Sequence, residues 1–291
     1  MANAMAEVSI TGRAWIVKLG PGNAAALPME DASGVSSNGV GVLRLPHKDS
    51  SSHMGMHMTM GMGKDDLVNS GAKVFAVLKD IEVGKRMPLY FPYVDDPTSF
   101  HFLPEHKTHH IPLSTKELPM LLRFFSFSPH SQQALTMKKT LEMCEVEPIE
   151  GEVTACVTSL SSLSDFARGV FGPDSQVRLV RSSLVSNTTP FLQNYTVVES
   201  KEISTGKIIG CHNQPYPYAV YYCHHQVGTV NKLFMVSLTG DNGDRVNAVF
   251  ICHMDTSSWD EDHVSFRLLG VKPGESEICH FFPAYDLVVV P

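Results

Sequence analysis

The sequence predicts an α+β fold, in which a helical N-terminal part of the domain packs with a β-rich, disulfide-stapled C-terminal half that carries a metal site. Three observations predict it. Apolar residues recur at helical spacing between Ser114 and Phe171, and strand-like alternation with turn signals runs from Gln176 nearly to the end. The dipeptide Cys-His occurs four times in the last third, as Cys211-His212, Cys223-His224, Cys252-His253 and Cys279-His280.

Residues 1–74 are rich in Gly, Ala, Ser and Asn and hold no sustained apolar period, so they read as a flexible region. Two islands interrupt it. Ser9 to Leu19 contains Ile10, Trp15, Ile16 and Val17, an apolar patch suited to pair as a strand or to dock on the domain. His53 to Met62 places five methionines and two histidines in ten residues, soft and borderline ligands that suit copper, against the simpler reading of a low-complexity linker.

From Val74 the character changes, and residues 75–291 read as one domain. Phe75 to Leu78 and Met87 to Phe91 suit short strands with a charged turn between them, and His101, His106, His109 and His110 crowd a Pro-flanked stretch. Ser114 with Glu117 forms a capping box, stapled by Leu113 and Leu118, ahead of a short helix marked by Leu118, Leu121, Leu122 and Phe125. A second helix starts near Pro129 and carries Ala134, Met137, Leu141 and Cys144 on one face. The third runs from about Ser159 to Phe171 and stops at Gly172-Pro173.

About eight strands are expected after Gln176. They include Val177 to Arg181, Tyr195 to Val198, Ile208-Ile209, Phe234 to Leu238, Val246 to Ile251, Val264 to Leu269 and Leu287 to Val290. Thr205-Gly206 reads as a tight turn, and Asn242-Gly243 as a hairpin turn. Each Cys-His falls at or near a strand end.

Composition narrows the function. A net charge of −7 without a basic patch argues against nucleic acid, and no apolar run approaches the roughly 20 residues of a membrane span. Met1 to Gly20 lacks a basic start followed by an apolar core, so the sequence reads as a soluble chain from which any secretory signal has been removed. Six cysteines suit three disulfides and an oxidising compartment, with fifteen connectivities open. Cys144 and Cys156, joined across a turn at Pro148 and Gly151, are the first pair to link.

Adjacent residues on a strand point to opposite faces. Each Cys-His therefore sends its sulfur one way and its imidazole the other, which disfavours two zinc sites that use every Cys and His as ligand. The better reading is four thiols free to pair as two disulfides and four imidazoles, His212, His224, His253 and His280, free to bind metal, with His263 as a fifth. Nitrogen ligands without thiolate fit Cu(II), Ni(II) or Zn(II).

The spacing of the four pairs, with ten, twenty-seven and twenty-five residues between them, resembles the signature of the BURP-domain family of plant proteins. The flanking residues agree. They are Tyr216 to Val220 before the second pair, Asp255 to Trp259 with His263 after the third, Lys272-Pro273-Gly274 before the fourth, and upstream Phe102-Leu103-Pro104, Ile111 to Ser114, Cys144-Glu145 and Cys156 to Leu160.

Some members of that family are copper-dependent autocatalytic peptide cyclases, which use O2 to cross-link a Trp or Tyr side chain within a core peptide of their own chain. The resemblance implies His212, His224, His253 and His280 as copper ligands in the catalytic site, two Cu(II) ions with O2 as oxidant, and disulfides formed by Cys211, Cys223, Cys252 and Cys279. It also implies passage through the secretory pathway to the cell wall or vacuole, and it leaves a non-catalytic, metal-binding wall or vacuolar protein as the other reading.

One departure matters. Lyciumin-type cores begin Gln-Pro and end in Trp, whereas Gln214-Pro215 lies between two Cys-His pairs with no Trp near it. Trp15 alone lies outside the domain motifs, which makes Thr11 to Leu19 the candidate core peptide ahead of Tyr90 or Tyr93.

Overall fold

The computed structural model describes residues 73, 75–91, 102–103, 108, 110–148, 151–185 and 192–291, together with the backbone of two N-terminal strands, 7–11 and 14–19. The His53 to Met62 stretch, His101, His106, His109 and Tyr93 lie outside the described residues.

Among the described residues, fourteen strands form two seven-stranded sheets. The first takes β1 (Glu7–Thr11), β2 (Ala14–Leu19), β6 (Val177–Val180), β14 (Leu287–Val290), β9 (Ile209–Gln214), β10 (Val220–Gln226) and β5 (Glu152–Val157), in that spatial order. The second takes β3 (Phe75–Ala76), β13 (Ile278–Phe282), β12 (Arg245–His253), β11 (Asn231–Gly240), β8 (Gln193–Gly206) and β4 (Arg86–Leu89), while β7 (Ser183–Leu184) pairs with β12. The described pairings are antiparallel.

The expected α+β class with a helical N-terminal part is therefore corrected: the fold is mostly β. Among the described residues there are four α-helices, α1 (Leu118–Phe124), α2 (Gln132–Glu145), α3 (Leu160–Phe171) and α4 (Val264–Leu269). The chain enters through strands rather than helices, and the helices are insertions between strands. Their periodicity is strong in the sequence because it is local, whereas β3, β4 and β5 are short and owe their strand character to distant partners. Val264 to Leu269, expected as a strand, is a helix capped at its start by His263 and stopped by Gly270 in the left-handed region. Thr205-Gly206 ends the long β8 instead of interrupting it.

Three apolar layers follow from period-two alternation. Val180, Val288 and Val290 of the first sheet meet Leu233, Met235, Val249, Ile251 and Phe282 of the second, which forms the layer between the sheets. The far face of the first sheet is covered by α3 through Leu163 and Ala167, and it includes Cys211 and Cys223. The far face of the second sheet buries Phe234, Val236, Phe250 and Phe281 with Cys252 and Cys279. A satellite cluster of Leu121, Leu122, Met137 and Leu141 joins α1 to α2.

The Asn242-Gly243 turn closes β11 onto β12 as expected, with Gly243 at positive φ and the Asn242 side chain bonded both ways to Asp244. Ser114 caps its helix differently from the expected box. It accepts from Lys116 N and donates to Glu145 Oε1, so α1 is tied to the end of α2.

Candidate metal centre

Register builds this site. In the first sheet Cys211 on β9 stands directly opposite Cys223 on β10, and in the second Cys252 on β12 stands directly opposite Cys279 on β13. A cysteine opposite a cysteine on antiparallel strands places the two following histidines on a diagonal, on the other face. Accordingly His212 pairs with Tyr222 and His224 with Gly210, while His253 pairs with Ile278 and His280 with Ile251.

The disulfides are Cys144–Cys156, Cys211–Cys223 and Cys252–Cys279, with no free cysteine among the described residues. The thiols lie in the two outer layers. The four imidazoles meet between the sheets.

They form a ring. Centroids lie 5.4 Å apart for His212 and His224, 5.7 Å for His212 and His280, 5.6 Å for His253 and His280, and 6.1 Å for His224 and His253. Phe282 stacks on both His212 and His280 at 4.9 Å, which supplies an apolar floor. His253 and His280 are only 7% and 6% exposed.

Partners on the outer ring nitrogens set the tautomers. His212 Nδ1 lies 2.9 Å from Asp286 Oδ2, and His224 Nδ1 lies 2.7 Å from Glu152 Oε1. A carboxylate accepts, so each Nδ1 carries the proton and each Nε2 presents a lone pair. Those two Nε2 atoms are 3.3 Å apart. Two lone pairs at that distance repel unless a proton or a cation stands between them. Two imidazole nitrogens about 2.0–2.1 Å from one tetrahedral ion would themselves be about 3.3 Å apart.

His253 Nδ1 faces Asn231 Oδ1 at 3.1 Å, an arrangement that also leaves Nε2 to the ring. His280 Nδ1 is buried with no hydrogen-bond partner among the described residues.

Burial, and then the neighbouring imidazoles, push His253 down to about 3. Burial likewise holds His280 well below the ordinary histidine range. Neutral imidazole is the form that can act as a ligand, and burial keeps both rings in that form at neutral pH. Carboxylate–histidine pairs of the Asp286 and Glu152 kind are known to fix the orientation of a ligating ring.

The donor set fits a nitrogen-ligated ion. As placed, no group of three or more His, Cys, Asp or Glu side chains among the described residues is arranged to hold a metal ion, so a four-histidine site would require the rings to draw together.

His263 stands outside this ring. Its Nδ1 is 2.6 Å from Ser265 Oγ at the start of α4, and Trp259 lies beside both it and His253, at 4.9 and 5.2 Å. The Trp259 Nε1–H is buried without a partner.

Trp15 lies on β2, whose backbone is held by β6. Three strand spacings, about 14 Å, separate β2 from β9. Tyr90 follows β4, in the second sheet.

Sequence reasoning located the four histidines but not Glu152, Asp286, Asn231 or Phe282. Glu152 and Asp286 lie 72 and 74 residues from their imidazole partners, and neither stands in a local motif.

Comparison with known proteins supports the resemblance. The BURP domain profile matches residues 74–291. BURP domain-containing protein BNM2C of Brassica napus is 38% identical over 224 residues, 75% of this chain and 79% of the relative. BURP domain protein USPL1 of Arabidopsis thaliana is 38% identical over 223 residues, with the same coverage. BURP domain-containing protein 17 of Oryza sativa is 40% identical over 214 residues, 72% of this chain but 36% of that longer protein. A profile match over most of the chain, with relatives at this identity, leaves one conclusion: the chain belongs to the BURP-domain family of plant proteins.

Proposed function

We propose that His212, His224, His253 and His280 hold copper and that the chain uses it with O2 to cross-link a Trp or Tyr side chain within its own sequence. The observation that carries the reading is the pair of Nε2 lone pairs facing each other at 3.3 Å, each imposed by a carboxylate behind the ring. Copper when bound supplies one-electron chemistry toward O2, which nitrogen ligation suits.

The chain's own residues do the rest. Asp286 and Glu152 fix two tautomers, burial keeps His253 and His280 neutral, and Phe282 excludes water from one side. The three disulfides suit a protein of the secretory pathway, with the cell wall or vacuole as destination.

Cross-linking removes two hydrogens for each bond formed. Aerobic incubation of the purified chain with Cu(II) should give that mass loss, located by fragmentation; an unchanged mass with copper bound would sink the cyclase reading.

A second reading, a non-catalytic metal-binding wall or vacuolar protein, is favoured by one observation. Trp15 is held in β2, three strands from β9, so its cross-linking requires β1 and β2 to leave the sheet. Tight copper binding without modification would select this reading.

A further inference from the structure

A small pocket opens beside the histidine ring and is lined by Gly210, His224, His225, Gln226, His253 and Phe282 among others. We infer that it is a binding position for one water-sized hydrogen-bond donor, seated against Gln226 and His225 and kept open by Gly210.

Size comes first. The space is ≈ 10 Å³, and about 10–15 Å³ on this measure holds one water.

The chemistry of the lining then selects the class. Gln226 Nε2 donates to Asp255 O at 3.3 Å, which orients the amide, and its Oε1 is buried without a partner on a side chain only 5% exposed. His225 Nδ1 stands 3.0 Å from the carbonyl of Ile208, so that nitrogen donates and the other ring nitrogen carries a lone pair. Two acceptors, the Gln226 oxygen and the second His225 nitrogen, call for a donor, and water, with its two O–H groups, is the donor that fits.

Gly210 explains how the space survives. A Cβ placed there would stand 3.1 Å from Phe282 Cζ and 3.3 Å from His224 Nε2. At both distances the neighbour must give by a few tenths of an ångström, so a side chain here crowds Phe282 and His224, which both line the pocket. Gly210 lies within β9 and is not at positive φ, so clearance, not backbone freedom, is what glycine provides. If copper is bound as proposed, a water here would lie beside His224 and His253, two of the residues that would hold it, and this clause alone rests on that reading.

The test uses the full chain free of metal, in crystals of the wild type, Gly210→Ala and Gln226→Leu. The wild type should show a single solvent peak within hydrogen-bond distance of Gln226 Oε1, and both variants should lose it. An unfilled pocket in the wild type, or an equal peak in both variants, would overturn the inference. In copper-loaded protein, water-proton relaxation should fall at least twofold in Gly210→Ala at equal copper content, and unchanged relaxation would show that the water does not reach the metal. Should copper fail to bind, the metal-free crystals still decide whether the water site exists.

Discussion

Glu152 and Asp286 decide which nitrogen of His224 and His212 faces the ring, and each does so from a different strand or turn. Glu152→Gln removes the charge behind His224 and lets the amide present either end. Copper affinity should fall about 10- to 100-fold, measured by competition with a chelator; an unchanged affinity would mean that His224 is not oriented by Glu152 when metal is bound. Trp259 offers an optical readout, because its indole lies 5.2 Å from the His253 ring. Cu(II) should quench the tryptophan emission, and Trp259→Phe should remove most of the quenched signal. Quenching retained in full by that variant would place the metal elsewhere. At this scale the sequence was half legible. A repeated dipeptide reveals the histidines, since recurrence is visible locally, but nothing near His212 announces Asp286.

At the scale of the element, the Cys-His register separates staple from ligand. Cys252→Ala with Cys279→Ala opens a closure spanning 27 residues, so stability should fall by about 3–4 kcal/mol in guanidinium unfolding. Copper stoichiometry should stay unchanged at a temperature where the variant is folded, because both sulfurs face the outer layer. Loss of copper in the folded variant would instead make the thiols ligands. The helices behave as pure scaffold: Leu141, 0% exposed between α1 and α2, should cost about 2–5 kcal/mol on Leu141→Ala and leave metal binding intact.

Sequence periodicity shows α1, α2 and α3 because their signals lie within one segment. It misassigns Val264 to Leu269, where an apolar run too short to distinguish period two from period 3.6 is decided by the cap at His263 and by Gly270. Strand order was illegible for the same physical reason, since β9 pairs β14 and β2 pairs β6 across long separations.

For the whole molecule, the histidine ring joins two sheets that otherwise meet through the apolar layer of Leu233, Val249, Phe282 and Val288. This coupling gives stability a definite pH dependence. His253 is held near 3 and His280 is also depressed, whereas an unfolded histidine titrates near 6.5. Between those values the unfolded chain binds more protons, so stability is present above about pH 6.5 and is lost as pH falls toward 3. The metal-free chain should therefore lose denaturant resistance on going from pH 7 to pH 4. His253→Asn should flatten that slope by up to roughly 1.4 kcal/mol per pH unit. A slope unchanged by the variant would show that His253 is not kept neutral by the fold.

The proposed copper site would draw its ligands from both sheets, His212 and His224 from the first and His253 and His280 from the second. Its most direct measurement is the electron paramagnetic resonance of Cu(II)-loaded wild type beside His224→Ala, from the first sheet, and His280→Ala, from the second. The wild type should show nitrogen hyperfine structure from several imidazoles, and each variant should lose bound copper or a nitrogen coupling. Identical copper content and spectra in all three proteins would contradict the account.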